Sequence, residues 1–171
     1  RLATDPQWML KMGIIDSMEC TGITENSFLD LRLRMLVFSR WAQVMYRFEK
    51  SMYEDPEQDM NKLWWDTVER YQHLKKPEGR NMPDWATKIH IALYPCYYHN
   101  YLLGECLASQ FYSYVRTNIS KNQSFVGEKA VGDYFREKVF KPGTRYYWND
   151  MIEKATGEKL TAKYYAKQFV R

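Results

Sequence analysis

Helical periodicity constrains this chain more than any other feature of its sequence. Leu29, Leu33, Leu36, Val37, Arg40, Trp41, Val44, Met45 and Phe48 recur at the spacing of one helix face. Ser27-x-x-Asp30 reads as a capping box opening that helix, after a turn at Thr21-Gly22, and Asp55-Pro56 ends it near Tyr53. A shorter helix precedes it, from about Pro6 to Asp16. Leu63, Trp64, Val68 and Tyr71 mark a third between Met60 and Leu74. Two prolines and a glycine then make residues 75–84 a loop. A second long helix is expected from near Pro95 to Ile119 and another from Ser124 to Phe140. After the Lys141-Pro-Gly turn, Thr144 opens a helix ending near Gly157, and Thr161 opens the last. Nowhere does a stretch alternate convincingly between apolar and polar residues. The expected fold is all-α, a multi-helix assembly.

Composition narrows the function classes. With 45% hydrophobic and 27% charged residues in a chain of 171, a packed core is expected and disorder is not. The 16% aromatic content is high, so aromatic side chains either fill a large core or face something else. A net charge of +4 with interspersed signs supplies no phosphate-binding stripe, which argues against nucleic acid as a partner. No apolar run is long enough to span a bilayer. The chain begins at Arg1 and reads as an excised segment, so its lack of a signal peptide leaves the compartment open. Cys20, Cys96 and Cys106 read as buried small hydrophobes. On one helix, Cys96 and Cys106 would stand roughly 15 Å apart, beyond disulfide reach. Asn118-Ile-Ser and Asn122-Gln-Ser are short sequons of little weight.

Chemistry-bearing residues concentrate in one segment. His73, His90 and His99 form no His-x-x-x-His pair, and no His/Glu pair has the setting of a zinc site, so no metal ligand is assigned in this chain. Phosphate loops, serine elbows and Cys-x-x-Cys are also lacking. Between Lys88 and Glu105, however, one lysine, two histidines and four tyrosines gather around a loop-to-helix junction. Tyr94, Tyr97, Tyr98 and Tyr101 fall at i, i+3, i+4 and i+7, sharing a face if the helix starts early. On the residues alone, a buried aromatic stripe and a working site both remain open.

The order of motifs resembles that of angiotensin-converting enzyme and its bacterial relatives, a family of zinc peptidyl-dipeptidases. Trp64-Trp65 followed by Arg70-Tyr71-Gln72, a Pro-bearing loop, Lys88-x-His90, Tyr98-x-x-Tyr101 and Gln110-Phe111 follow that family's order. The segments Asp5-Pro6 to Ile15 and Ala155 to Tyr164 are similar to flanking parts of this wider group. The resemblance implies that residues 1–171 are the C-terminal helical portion of a catalytic domain. Its zinc motif would lie upstream of Arg1, and zinc would be the cofactor of the longer parent. The chain alone would then bind no zinc and cleave no peptide. Its partners would be a peptide substrate and the missing N-terminal portion, against which some aromatics would line a cleft.

Residue by residue, the resemblance makes His90 and Tyr101 the catalytic hydrogen-bond donors to the tetrahedral intermediate formed when zinc-bound water attacks the scissile carbonyl. It makes Lys88 and Tyr98 the substrate-binding pair that holds a free C-terminal carboxylate, so that dipeptides are released. Two departures stand out. The spacing from His90 to Tyr101 is one residue longer than the family pattern, which keeps Tyr94 and Tyr97 as rival donors. Asn100 also replaces an arginine that the family associates with chloride. The competing expectation is a non-catalytic helical interaction domain whose tyrosine stripe binds a protein partner.

Overall fold

Side-chain caps at Asp5, Asp16 and Asp59 open three of the helices, and the left-handed residues His73 and Gly157 close two. The computed structural model describes residues 5–120 and 125–170. Among them every regular element is helical. The helices are α1 (Pro6–Lys11), α2 (Ser17–Glu54), α3 (Met60–Gln72), α4 (Ile89–Ala92) and α5 (His99–Asn118). They continue with α6 (Lys129–Phe135), α7 (Trp148–Thr156) and α8 (Lys163–Phe169). A 3-10 turn spans Asp84–Thr87, and a π-helical stretch, Arg136–Phe140, prolongs α6.

The expected boundaries hold at some ends and move at others. Asp5 caps α1 by accepting from the Gln7 and Trp8 amides, with Pro6 in the first turn. That helix ends at Lys11 rather than Asp16, because Gly13 turns left-handed at φ 69°. The expected turn at Thr21-Gly22 and the cap at Ser27 are both replaced by continuous helix. The box that opens α2 lies earlier. The Asp16 carboxylate accepts from the Glu19 amide at 2.8 Å, and the Glu19 carboxylate accepts from the Asp16 amide at 2.9 Å. One glycine inside a long helix costs about 1 kcal/mol, too little to break 38 residues.

Asp59 caps α3 through the Lys62 amide, and His73 closes it in the left-handed region at φ 58°. α5 starts at His99, not near Pro95, so of the four tyrosines only Tyr101 lies on it. Cys96 is the cause: it is left-handed at φ 57° and cannot continue a right-handed helix. It is exposed, unlike the buried Cys20 and Cys106, and none of the three is in a disulfide among the described residues. α7 starts at Trp148 rather than Thr144 and ends against Gly157 at φ 85°. Asn118, of the first sequon, ends α5 and donates to the Tyr114 carbonyl. The second sequon and Ser124 lie outside the described residues.

The chain divides into two units, Arg34–Gly104 and the pair of segments Arg1–Leu33 with Glu105–Arg171. In the first, Val44, Met45, Phe48, Trp64, Val68 and Ile91 form a buried cluster, with Trp41, Trp65, Trp85 and Tyr98 packed around it. Burying each such side chain contributes about 1.5–3 kcal/mol. In the second unit, Phe111, Val115, Val131, Tyr134 and Ala155 form the cluster. There Gln110 is fully buried, and its amide nitrogen donates to Thr156 Oγ1 at 2.9 Å and to the Glu158 and Lys159 carbonyls at 3.1 and 3.3 Å. Its carbonyl oxygen accepts from the Thr161 amide. No described helix is long and apolar enough to cross a membrane.

Candidate active site

All four residues singled out from the sequence lie in the Arg34–Gly104 unit. Lys88 caps α4, His90 sits in its first turn, Tyr98 directly precedes α5, and Tyr101 lies in the first turn of α5. The short α4 and the start of α5 are joined by the segment 93–98, whose reversal at Cys96 turns the two helices' ends toward one cluster. His90 Nε2 and Tyr101 Oη stand 3.1 Å apart in a hydrogen bond. Their rings are perpendicular, with centroids 5.4 Å apart. The Tyr98 ring lies 4.9 Å from His90, also edge to face, and 5.2 Å from Tyr101. Three of the four residues therefore meet in one aromatic cluster.

The rivals are placed differently. Tyr94 tilts against His90 at 6.4 Å, and Tyr97 meets Tyr101 edge to face at 5.5 Å. Both are more than half or about half exposed, at 59% and 50%. The hydroxyl that bonds His90 is that of Tyr101.

Lys88 joins the cluster through α2. Its ammonium lies 5.7 Å from the ring centroids of both Trp41 and Trp64, within cation–π range. Among the described residues it makes no ion pair. Trp41 in turn donates its indole N–H to Tyr98 Oη at 2.7 Å. Burial pushes the Tyr98 phenol above its ordinary pKa; the Trp41 donor pulls it back down, and Tyr101 adds a smaller upward push. The Tyr98 hydroxyl is thus neutral at physiological pH.

A cleft of about 830 Å³ opens beside Lys88, walled by Trp41, Trp64, Trp65, Leu74 and Met82. That volume is in the range of small-ligand sites. Its rim is organised by Asp84, whose carboxylate accepts from Arg80 Nε at 2.7 Å and from the Trp65 indole at 3.1 Å. The Arg80 guanidinium holds the Asp84 carboxyl below the usual carboxylate range. This fixes the Pro-bearing loop against α3, helped by Asn61, which donates to Asn81 and accepts from the Trp85 indole.

Two supporting residues lie outside the segment that the sequence singles out. Trp41 is legible in the sequence only as part of an apolar stripe. Glu49 is buried at 6% exposure, and its carboxylate accepts from the Cys96 amide at 2.5 Å. It thereby pins the reversal that delivers Tyr97 and Tyr98. The one available hint was a charge set between Met45 and Met52 on the apolar face of α2.

A match to known proteins decides the class. The family model of peptidase family M3 matches residues 24–171. The chain belongs to peptidase family M3. No curated protein and no solved structure matches it. As an M3 chain it is metallopeptidase material, from a family of zinc-dependent enzymes. Yet among the described residues no group of three or more His, Cys, Asp and Glu side chains could hold a metal ion. The cluster of this M3 chain offers one imidazole among phenols and a lysine, which is a donor set and not a zinc-ligand set. The described residues therefore do not fit the metal.

Proposed function

We propose that this M3 chain supplies the substrate-side half of a zinc peptidyl-dipeptidase site. His90 and Tyr101 are its oxyanion donors, and Lys88 and Tyr98 hold the free C-terminus of the peptide. In peptide hydrolysis, negative charge develops on the former carbonyl oxygen as the carbon becomes tetrahedral. Donors held close to that oxygen lower the barrier. The observation that carries the reading is the 3.1 Å bond between His90 Nε2 and Tyr101 Oη, made by residues that α4 and α5 bring together. At that separation one oxygen can lie within hydrogen-bond reach of both groups once it replaces their mutual bond, and Tyr101 is 43% exposed.

Anchoring follows from charge. Lys88 presents an ammonium with no ion-pair partner among the described residues, Tyr98 presents a neutral phenol that can donate, and Trp41 lies against both. A carboxylate there makes charge-assisted hydrogen bonds. The zinc, in this reading, is held by residues outside 1–171, and the chain alone is inactive. The exposed Leu93, Tyr94 and Tyr97 are the kind of surface that the missing portion would cover.

Tyr101→Phe in the full-length peptidase tests the proposal. Turnover should fall about 100- to 1000-fold, the usual loss for one oxyanion donor, with the Michaelis constant nearly unchanged. His90→Ala should behave alike. Peptides amidated at the C-terminus should be poor substrates, and Lys88→Ala should mainly raise the Michaelis constant. A Tyr101→Phe enzyme of normal stability and normal turnover would remove Tyr101 from catalysis. Equal hydrolysis of amidated and free-acid peptides would remove the dipeptidase assignment.

A further inference from the structure

We infer that Trp41 is a positioning residue that sets both halves of the carboxylate anchor. The inference rests on the roles of Lys88 and Tyr98 proposed above. Trp41 touches both: its indole N–H donates to Tyr98 Oη at 2.7 Å, and its ring lies 5.7 Å from the Lys88 ammonium.

The hydrogen bond has a directional consequence. A phenol carries one O–H donor and accepts through its lone pairs. With Trp41 occupying an acceptor position, the Tyr98 O–H is turned away from the indole. It is left to donate to an anion. A Tyr98 hydroxyl free to rotate would have to be ordered before donating to a carboxylate, whereas the indole has oriented it beforehand. The indole face does the second task. It holds the Lys88 ammonium electrostatically without neutralising its charge, as a carboxylate partner would. Lys88 therefore keeps both its charge and its hydrogen-bond donors for a ligand.

The indole is itself held. Trp41 meets the Trp64 ring edge to face at 5.9 Å and the Tyr98 ring at 6.5 Å, both nearly perpendicular. Trp64, which also lies under Lys88, is fixed by the buried Phe48 at 5.2 Å. The anchor is thus mounted on the core of its unit, and Trp41 is the residue through which both of its groups are mounted. Trp65 and Met82 share the cleft with it.

The test uses full-length peptidase with Trp41 replaced by Phe, which keeps a ring but deletes the N–H. For a free-acid peptide the Michaelis constant should rise about tenfold, the worth of one hydrogen bond to a charged ligand's anchor, with turnover little changed. Amidated peptides should show no further loss. In a Tyr98→Phe background the same change should have a smaller effect, because the phenol it orients is gone. The Tyr98 phenol, followed by tyrosine ring-carbon NMR, should titrate at higher pH in the variant. Should Trp41→Phe fold poorly, β-(3-benzothienyl)alanine at position 41 removes only the N–H and keeps the shape. Its Michaelis constant should rise in the same way. An unchanged Michaelis constant in either variant, while Lys88→Ala raises it, overturns the role of Trp41 alone. If Lys88→Ala is also without effect on free-acid peptides, the carboxylate reading falls and this inference falls with it.

Discussion

Gln110→Leu probes a fully buried side chain with four hydrogen-bond partners, and its cost can be worked out from the contacts. The replacement is close in size and leaves the apolar surroundings of α5 filled, so cavity terms are small. What disappears is the amide. Thr156 keeps another partner: its single hydroxyl proton still goes to the Ile152 carbonyl at 2.9 Å or to the Glu158 carbonyl at 3.0 Å. The Thr161 amide and the Lys159 carbonyl lose the partner that Gln110 provided. A buried polar group left unpaired costs about 1–3 kcal/mol. Lys159 is an exposed residue whose carbonyl regains water more easily, so the sum is about 2–4 kcal/mol. For a domain this size urea unfolding has a slope of about 2 kcal/mol per molar, and the midpoint should drop by about 1–2 M. Far-UV circular dichroism against urea measures it directly. Gln110→Glu sharpens the test. Its carboxylate faces two carbonyl oxygens it cannot donate to, so the loss should be larger at neutral pH and partly recovered on acidification. A Gln110→Leu midpoint within about 0.5 M of the parent, at unchanged slope, would refute the claim that this amide ties α5 to the 156–161 segment.

Other outcomes follow from the same contacts. Glu49→Ala should cost about 2–3 kcal/mol, the charge-assisted bond to the Cys96 amide, while Glu49→Gln, which keeps an acceptor, should cost less; equal thermal unfolding of the two variants would contradict that. Tyr134 donates to the Ala155 carbonyl at 2.7 Å, and burial pushes its phenol far above the ordinary value, with Tyr114 adding to the shift. Because the folded pKa is raised, this stability is full below about pH 10 and declines as the pH rises above the unfolded value. Tyr134→Phe should therefore lose about 1 kcal/mol at neutral pH and show a flatter alkaline decline, read by denaturation at several pH values. Cys96, exposed, should react quickly with a thiol reagent in the folded chain, whereas buried Cys20 and Cys106 should react only on unfolding. Burial also raises the Cys106 pKa, which slows it further. Rapid labelling of all three would argue against the placement of α2 and α5.

Residue patterns alone determined the class of the fold and the order of its helices. Apolar spacing and capping are local, so the stripe from Leu29 to Phe48 and the Asp59 cap of α3 could be read without knowing any partner. The same locality misled at α2. Ser27-x-x-Asp30 and Asp16-x-x-Glu19 are equivalent as patterns, and which one opens the helix depends on whether the chain between them stays helical. Tertiary structure also decided which of the candidate residues meet. His90 and Tyr101 are separated by α4, by Pro95 and by the left-handed Cys96, so no helical period relates them; their hydrogen bond exists because the segment reverses there. Counting residues along a helix put four tyrosines on one face, but the reversal leaves only Tyr101 on α5. Trp41 and Glu49, 57 and 47 residues from the groups they hold, carried no local mark of that task. Spacing along the chain reports neighbours within about two helical turns. Hydrogen bonds such as those of Trp41 to Tyr98 and of Glu49 to Cys96 are made across the fold, and there the path of the backbone decides.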